Sequence, residues 1–262
     1  MPRRTELTSD AIPLTAAAHP GAGPGKPDRR GLALRITDAE WRVIRDACAY
    51  VAKVPAKTLI SRKGEALDRS LYLMNGIVGR HVPGPHRDLR EMVALEVPGD
   101  FVDLHSFPVG VLDHDVTAMT DVELAVFPHA NLRALLREHP DVALTLWAQT
   151  VVDAAIHRYW SFRVGALRAS ARVANFVCEL HSRLTLAGLA DADGFDLPLT
   201  QTDLGEACGM SPVHVNRVIR ELREAECCTV RDGRVTIVNH PKLVAVGQYE
   251  ADFLDIWRGG TG

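Results

Sequence analysis

The chain has 262 residues and a formal net charge of −3, which excludes a protein that coats nucleic acid through a uniformly basic surface. Hydrophobic residues make up 47% of it, enough for one large domain or two smaller ones. The five cysteines show neither CxxC spacing nor the framework of a secreted domain, and they fit a reducing cytoplasm. No apolar run approaches the ~20 residues of a membrane span, so we expect a cytoplasmic protein with no membrane partner.

Ordered structure is predicted to begin near Leu32. Residues 1–30 are rich in Pro, Gly, Ala and Thr and cannot bury much surface, so they are predicted to form a disordered tail. The segment Thr37-Asp38-Ala39-Glu40 is a capping box, in which the first and last side chains bind each other's backbone N–H groups. We therefore predict a short helix from this box through Tyr50.

Short β-like runs follow over residues 54–127. Asn75-Gly76, between two apolar runs, is the strongest short signal for a hairpin because both residues tolerate a positive φ. Regular short strands separated by such turns predict a β-roll or barrel. A helix from Pro128 to about Glu138 closes this domain, which we place at residues 31–138.

Residues 141–163 predict a long helix that is apolar nearly all round. A helix without a clear polar face is buried on several sides. One face can cover the β-roll and another can meet a second copy of the chain, so we predict a homodimer through this helix. Gly165 is a predicted hinge, and the dimerisation helix with its hinge spans residues 139–166.

Two short helices around a tight turn are predicted next. Thr200 and Ser211 are good N-cap residues, and Pro212 stands at the first helical position, where its missing N–H costs nothing. Gly209 lies between the helices, where the backbone must turn sharply with a positive φ. Such a pair is a helix-turn-helix whose second helix enters the DNA major groove, although an ordinary corner in a helical domain is the alternative. The helix-turn-helix spans residues 201–220 and its recognition helix spans 211–224.

Further elements flank the helix-turn-helix. Asp232-Gly233 predicts the tip of a hairpin that forms a wing. A helix over residues 168–187 and a polar loop over 191–194 precede the motif, and a closing helix is predicted from Pro241 to Trp257. These elements give a DNA-binding domain at 167–242 and a C-terminal helix and tail at 243–262.

This order of elements resembles the Crp/Fnr family of bacterial transcription regulators. The resemblance runs from about residue 32 to 250 and is most specific at LPLTQTDLGEACGMSPVHVNRVIRELRE, with support from LYLMNGIVGR, VPGDFVDL and ANFVCELHSRL. It implies an α+β fold with an N-terminal β-roll sensor of the cyclic-nucleotide-binding jelly-roll type, a long dimerisation helix and a C-terminal winged helix-turn-helix. It also implies a homodimer that reads a palindromic operator in double-stranded DNA.

The resemblance assigns a DNA role to Arg217, which matches the family's recognition-helix arginine. An arginine here can donate two hydrogen bonds to O6 and N7 of guanine. Helical phase agrees, because Val215 and Ile219 share a face that should point to the core. Pro212 and Val213 replace an arginine and a glutamate of better-known members, so we expect a different operator, with Val213 against a thymine methyl. The predicted DNA-contacting residues are Gln201, Thr202, Ser211, Val213, His214, Asn216, Arg217, Arg220, Arg231 and Arg234.

The sensor segment departs from the cyclic-nucleotide binders of this fold. Those proteins hold phosphate on a Gly-Glu-Leu turn and an Arg-Ser/Thr pair, since a phosphate needs positive partners and N–H donors. Here the turn region reads GDFVDL and the later segment reads LDHDV, with carboxylates and no arginine. Carboxylates repel a phosphodiester, so we do not expect ordinary cAMP binding. The degenerate phosphate-turn region comprises Gly99, Asp100, Asp103, His114 and Asp115.

No cofactor is predicted, and two chemistries stay open. Iron–sulfur sensing needs clustered N-terminal cysteines, and only Cys48 precedes residue 178, which excludes it. Cys208 occupies an apolar place of the helix-turn-helix and is predicted to be core, with an oxidation switch as the alternative. A haem or metal ligand stays open because four histidines, although unclustered, lie in the sensor segment: His81, His86, His105 and His114.

Three classes of function are weighed. A sequence-specific transcription regulator explains the most residues, and RNA polymerase is a further candidate partner. An enzyme is not expected, because the chain has no GxSxG, Walker A, HExxH or GxGxxG motif. An adaptor that has lost DNA binding is disfavoured by Arg217 and the wing. The alternative within the first class is a cyclic-nucleotide or other small-ligand sensor whose DNA binding depends on an unidentified effector.

Overall fold

The computed structural model describes residues 36–84 and 90–254. The predicted tail of residues 1–30, His86 and the last part of the predicted closing helix lie outside these ranges. The chain divides into two compact units, residues 1–90 with 95–151 and residues 91–94 with 152–262. Within the described ranges, none of the helices combines the length and apolarity that crossing a membrane requires.

Two sheets form most of the first unit, although residues 91–94 of one strand group with the second unit. Seven strands build them: β1 (Tyr50–Val54), β2 (Leu59–Ser61), β3 (Arg69–Asn75), β4 (Val78–Pro83), β5 (Arg90–Glu96), β6 (Asp115–Ala118) and β7 (Val122–Pro128). One sheet has the order β1-β7-β3 and the other β2-β6-β4-β5. The pairs β1–β7, β3–β7, β2–β6 and β4–β6 are antiparallel, so strands far apart in sequence meet as the predicted β-roll requires.

Alternation along the paired strands produces two cores in this unit. Leu71 and Leu73 of β3 lie opposite Val126 and Leu124 of β7, and all four pack in the cluster between the sheets. Successive side chains of a strand point to opposite faces, so Tyr72 joins a second cluster, against helices. These helices are α1 (Asp38–Asp46), α2 (His129–Glu138) and the first turns of α3 (Pro140–Ala166).

The first helix begins as predicted and ends earlier. Thr37 and Glu40 form the reciprocal capping box, and the Glu40 carboxylate also accepts the hydroxyl of Thr145 at 2.6 Å. The predicted extension through Tyr50 is wrong, because the chain leaves the helix after Asp46. The N–H of Ala49 already bonds to a carbonyl of β7, and Tyr50 begins β1. Strand pairing therefore replaces the last predicted helical turn.

The predicted hairpin at Asn75-Gly76 is also wrong. β3 and β4, which flank this dipeptide, belong to different sheets, so the turn carries the chain from one sheet to the other. A two-residue hairpin turn of the Asn-Gly type needs positive φ at both residues, and here only Gly76 has it, at +87°. A Cβ on Gly76 would lie 2.3 Å from the carbonyl oxygen of Asp121, so this position requires glycine.

The long helix α3 confirms the prediction for residues 141–163. It has 27 residues, which corresponds to about 40 Å at 1.5 Å per residue. Gly165 lies in its last turn, with open space where a Cβ would stand. A role for Gly165 as a hinge stays a prediction.

The second unit is built from helices and a small sheet. After α3 it contains α4 (Ala169–Leu186), α5 (Gln201–Cys208), α6 (Pro212–Glu224) and α7 (His240–Gly247). Its strands are β8 (Ala190–Asp191), β9 (Gly194–Asp196), β10 (Cys228–Arg231) and β11 (Arg234–Ile237), in the order β10-β11-β9-β8. Together with the β-roll of the first unit, this winged helix-turn-helix confirms the predicted α+β fold.

Two predicted elements of this unit need correction. The polar loop over residues 191–194 is the turn of a β8–β9 hairpin, which extends the wing sheet. Gly194 has a φ of +141°, and a Cβ there would lie 1.9 Å from the carbonyl oxygen of Val235, so the two strands approach closely. The closing helix predicted to reach Trp257 ends at Gly247, because Gln248 adopts the left-handed conformation at φ +47°.

Candidate nucleic-acid interface

Local capping fixes both helices of the helix-turn-helix. Thr200 accepts the N–H of Asp203, whose carboxylate accepts the N–H of Thr200 at 2.8 Å, so the capping box is complete. Ser211 accepts the N–H of His214, and Pro212 occupies the first position of α6. Each bond satisfies a donor that the helix itself leaves free. The predicted caps are therefore confirmed, and they set where both helices begin.

Two glycines allow the tight turn between these helices. Gly209 ends α5 at φ +61°, in the left-handed region that the sequence predicted. A Cβ on Gly205 would lie 2.6 Å from the carbonyl oxygen of Met210, closer than real Cβ contacts. Any larger residue at Gly205 would push the turn away from α5 and change the aim of α6.

The recognition helix α6 separates a buried face from an exposed face. Val215, Val218 and Leu222 are buried in the second unit, and Ile219 is half-buried. Val213, by contrast, is 81% exposed. Apolar burial therefore fixes the rotation of α6 about its axis. The predicted contact residues on the other face are exposed, apart from the half-buried His214: Asn216, Arg217 and Arg220.

Arg217 is held only loosely in the protein. Its Nε lies 3.7 Å from Oε1 of Glu221, one helical turn further on, and both side chains are more than half exposed. Exposed pairs of this kind contribute less than about 1 kcal/mol. The guanidinium can therefore leave Glu221 at little cost and donate to another acceptor.

The start of α5 presents polar side chains beside the recognition helix. Gln201 and Thr202 are exposed, and Oε1 of Gln201 accepts a hydrogen bond from Nδ2 of Asn216 on α6. Thus the structure brings these two predicted contact residues together. Backbone N–H groups at helix starts also attract phosphate oxygens, which suits the positions of Thr202 and Ser211.

The wing forms the predicted Asp-Gly turn. Asp232 and Gly233 have φ values of +51° and +73°, as a type I′ hairpin turn requires. Arg231 is exposed next to the tip. Arg234 is engaged within the unit, because its guanidinium lies 2.9 Å from Asp196 and 3.5 Å from Asp191. These carboxylates raise the pKa of Arg234 and pair with its positive charge.

Arg172 connects the turn of the motif to the end of α3. Its Nε donates to the carbonyl of Leu167 at 2.9 Å. Its Nη1 lies 3.4 Å and 3.3 Å from the carbonyl oxygens of Cys208 and Gly209, which end α5. One α4 side chain thus holds both the junction after α3 and the turn before the recognition helix.

A buried ionic cluster joins α3 to α4 in the second unit. The Glu179 carboxylate lies 2.5 Å from Arg163 and 3.1 Å from Arg183, and it accepts the indole N–H of Trp160 at 3.0 Å. The Arg163 guanidinium also lies 4.3 Å from the centre of the Trp160 ring. Sequence reasoning missed this cluster, because charged side chains are almost never fully buried unless they are paired. It holds the end of α3 against the DNA-binding unit.

In the first unit, the predicted phosphate-turn carboxylates serve internal contacts. Asp100 accepts the N–H of Val97 at 2.8 Å, and Asp103 accepts the N–H of Leu71 at 2.7 Å. Both are buried. Burial raises the pKa of Asp103 to about 7, although the Leu71 N–H and the Arg80 guanidinium act in the opposite direction. These groups are part of the β-roll's own framework.

Arg80 is the buried cation of this region, and the sequence prediction did not include it. Its Nε lies 3.0 Å from Glu96, and one Nη donates to the carbonyl of Val102 at 2.5 Å. The guanidinium is therefore committed to a carboxylate and to the turn backbone. An arginine already bonded in this way is not available to a phosphate unless those bonds break.

The other predicted sensor residues are also bonded within the unit. Asp115 accepts the N–H of Lys63 at 2.8 Å. Nδ1 of His114 lies 2.7 Å from Asp113, and this hydrogen bond lowers the pKa of the Asp113 carboxyl. The His114 ring stacks on His105 with centroids 5.4 Å apart. Residues 36–84 and 90–254 contain no group of three or more His, Cys, Asp or Glu that could hold a metal ion.

Burial disfavours the thiolate form of three cysteines in the second unit. Cys208 is fully buried, and burial raises its pKa to about 11. Burial raises the pKa of Cys178 and of Cys228 to about 12. Since the thiolate is the reactive form, these side chains behave as small core residues at neutral pH. The core placement predicted for Cys208 is confirmed.

Comparison with known proteins agrees with this geometry. Residues 171–246 match the model of the Crp-like helix-turn-helix domain. The transcriptional activator protein FnrL of Cereibacter sphaeroides is 26% identical over 57% of this chain and 60% of its own length. The cAMP-activated global transcriptional regulator CRP of Escherichia coli is 25% identical over 67% of this chain and 83% of its own. The chain spans about 60% of the length of the first two curated relatives that it matches.

Solved structures share the fold. FixK2 from Bradyrhizobium japonicum superposes with a TM-score of 0.68 at 22% identity, covering 76% of this chain and 96% of its own. The c-di-GMP-responsive regulator CLP of Xanthomonas campestris gives a TM-score of 0.62 at 16% identity, covering 78% and 100%. The chain therefore carries a Crp-like helix-turn-helix domain and shares the fold of these regulators, and its curated relatives are transcription regulators.

Proposed function

We propose that this protein is a homodimeric, cytoplasmic regulator that reads a palindromic operator with α6. The division of labour is a β-roll sensor at 31–138, a dimerisation helix at 139–166 and a DNA-binding domain at 167–242. The observation that carries the proposal is the two-faced recognition helix. Its apolar face is fixed in the core, while its exposed face presents Arg217, which only a weak ion pair holds.

Each exposed residue has a distinct task in this proposal. Arg217 donates two hydrogen bonds to a guanine, and Val213 contacts a thymine methyl. Arg231 on the wing reaches phosphate, while Arg234 supports the wing through Asp196 and Asp191. Phosphate contacts also fix the orientation of the protein on DNA. The residues assigned to these phosphate contacts are Gln201, Thr202, Ser211, His214 and Arg220.

Dimerisation rests on an exposed apolar stripe along α3. Leu144, Trp147, Val151 and Phe162 are 65%, 67%, 41% and 47% exposed. Leu144, Trp147 and Val151 follow the 3–4 spacing of residues that pair two helices. A second copy of α3 would cover this stripe and set the separation of two recognition helices, which must be about 34 Å for half-sites one DNA turn apart.

Transmission of a signal is proposed to use the junction between α3 and α4. The Arg163–Glu179 ion pair and the Arg172 bonds to the carbonyls of Leu167 and Gly209 tie the end of α3 to the turn of the motif. A shift of α3 would therefore move α5 and α6 with it. This supports control of half-site spacing by the sensor, and activation would add contact with RNA polymerase.

The signal is proposed to differ from ordinary cAMP. Asp100 and Asp103 are buried and bonded to the backbone, and Arg80 is paired with Glu96. A cyclic phosphodiester would have to break these bonds and lie near two carboxylates. The second candidate is a small-ligand sensor whose DNA binding needs another effector, favoured by the resemblance of the first unit to sensor folds.

Binding to operator DNA selected from a random pool tests the DNA-binding role. Arg217→Ala should weaken binding by about tenfold or more in each half-site. Arg223→Ala, an exposed substitution on the same helix, serves as the matched control and should change affinity little. Equal affinities of wild type and Arg217→Ala for the operator would overturn the proposal.

A further inference from the structure

The exposed face of α6 carries an amide that the protein itself orients. Asn216 precedes Arg217, and its Nδ2 donates a hydrogen bond to Oε1 of Gln201, the first residue of α5. Fifteen residues separate the two side chains in sequence, so this contact exists only because the turn brings α5 and α6 together. Both side chains are otherwise exposed on the side of the motif that bears Arg217.

This bond decides which groups of Asn216 remain for a ligand. An asparagine amide has two N–H donors and one oxygen acceptor. With one N–H given to Gln201, the second N–H and Oδ1 remain unused by this bond. A donor next to an acceptor is the pattern that matches N7 and the N6 amino group of adenine in the major groove.

The bond also fixes the orientation of the amide. If the Asn216 amide rotated by 180°, its Oδ1 would face Oε1 of Gln201, and two acceptors would repel each other. While Gln201 accepts through Oε1, the Asn216 amide keeps the orientation in which both remaining groups are available to a base edge. This bond also restricts the rotamers of an exposed side chain before DNA arrives, which lowers the entropy lost on binding.

We propose that Asn216 reads an adenine in each half-site and that Gln201 is the positioning residue that orients it. Gln201 thus determines specificity through another side chain, while its own amino group stays available to a phosphate. The inference deepens the proposed function and rests on it, because it requires α6 in the major groove. It adds an A·T preference beside the guanine assigned to Arg217.

Two substitutions of Gln201 separate positioning from phosphate contact. Gln201→Met keeps the length of the side chain but removes the acceptor. Gln201→Glu keeps an acceptor for Asn216 and adds a negative charge that repels phosphate. Positioning through Asn216 predicts that Gln201→Met loses base preference, while Gln201→Glu keeps the preference and loses affinity for all sequences alike.

The experiment measures binding of the full-length protein to its selected operator and to an operator with the adenine replaced symmetrically. Wild type should discriminate by about tenfold or more per half-site. Asn216→Ala should abolish this discrimination, Gln201→Met should reduce it, and the double variant should resemble Asn216→Ala alone. Arg223→Ala, an exposed substitution on α6 outside the proposed contact residues, should leave the discrimination unchanged. Thermal unfolding of every variant establishes that each is folded.

Two results would overturn the inference. Discrimination that survives Asn216→Ala would show that this residue reads no base. Strictly additive effects of Gln201→Met and Asn216→Ala on discrimination would show that Gln201 acts independently. Neither result affects the proposed function so long as Arg217→Ala still loses operator binding, whereas retained binding by that variant would end both proposals.

Discussion

The β-roll and the winged helix-turn-helix both contain polar and charged side chains, but the β-roll buries them and the winged helix-turn-helix exposes them. In the β-roll, Arg80, Glu96 and Asp103 are buried. Arg80 pairs with Glu96, and Asp103 accepts the backbone N–H of Leu71, so these groups stabilise the fold itself. In the winged domain, Arg217 and Asn216 stand on an exposed helix face whose reverse side is core. The contrast teaches that chemistry suited to a phosphate or a base marks a binding site only where the fold leaves it available.

The buried cluster around Glu179 extends this contrast into the DNA-binding unit. In this cluster two guanidinium groups and one carboxylate are shielded from water. Its contribution to stability therefore depends on how well these groups are paired. Such clusters do little for stability relative to an apolar core, but breaking one leaves an uncompensated buried charge. The cluster therefore makes the position of α3 against α4 sensitive to one residue.

The largest expected effect follows from removing that carboxylate. Glu179→Ala leaves Arg163 and Arg183 buried without their partner and should lower the free energy of unfolding by about 3–5 kcal/mol. Urea unfolding followed by circular dichroism measures the change. Glu224→Ala, an exposed glutamate on α6, is the control and should stay within about 0.5 kcal/mol of wild type. Similar stabilities for both variants would refute a structural role for the cluster.

Dimerisation should follow the apolar stripe of α3. Trp147→Glu places a charge in the proposed interface and should give a monomer that binds the operator about a hundredfold more weakly, because two linked half-site contacts become one. Sedimentation velocity and a binding titration measure both properties. Arg137→Glu on α2 is an exposed charge change outside α3, and it should leave the dimer intact. A dimeric Trp147→Glu protein would contradict this interface.

Because the β-roll buries the Asp103 carboxyl, the stability of the protein should depend on pH. The pKa of Asp103 is raised to about 7 in the folded protein, against about 3.9 when unfolded. Between these values the folded state binds more protons, so stability should fall as pH rises from about 4 to 7. Asp103→Asn retains an acceptor for the Leu71 N–H and should flatten this decline.

The measurement is the free energy of unfolding of wild type and of the Asp103→Asn variant, each at pH 5 and at pH 8. Relative to wild type, it should gain stability at pH 8, by about 1.4 kcal/mol for each unit by which the pKa is raised. Equal pH dependence in the two proteins would show that Asp103 is ionised in the fold. In that case the β-roll would hold a buried anion close to Arg80.

The smallest expected effect is at the wing. Arg231→Ala removes one proposed phosphate contact per subunit and should weaken binding equally for all DNA sequences, with a shallower dependence on salt. Arg234→Ala should act through the fold instead, because Arg234 is already paired with Asp196. Binding titrations at several salt concentrations separate the two. An altered base preference in Arg231→Ala would contradict a phosphate role.

Local signals predicted much of this molecule. Each of these signals depends on no more than four neighbouring residues, and the structure forms all of them: the caps at Thr200 and Ser211, the turn at Gly209 and the wing at Asp232. The Asn75-Gly76 hairpin failed because strand pairing is decided by distant residues: β3 pairs with β7 and β4 with β6.

The groups that support the site could not be read from the sequence. Arg163 stands in a helix that looked apolar nearly all round, and its partner Glu179 is sixteen residues away on another helix. Gln201 and Asn216 were each predicted to contact DNA, but their contact with each other depends on how α5 crosses α6. Pairing between side chains on different elements follows from packing rather than from periodicity.

Selection of bound DNA from a random pool tests the central claim most directly. The purified protein is used first without ligand and then with cAMP. If the proposed function is correct and the arginine and carboxylates of the β-roll are committed to the fold, the protein should select one palindromic motif under both conditions. A motif that appears only with cAMP would contradict the reading of Arg80, Asp100 and Asp103, and the absence of any motif would contradict ligand-independent recognition by α6.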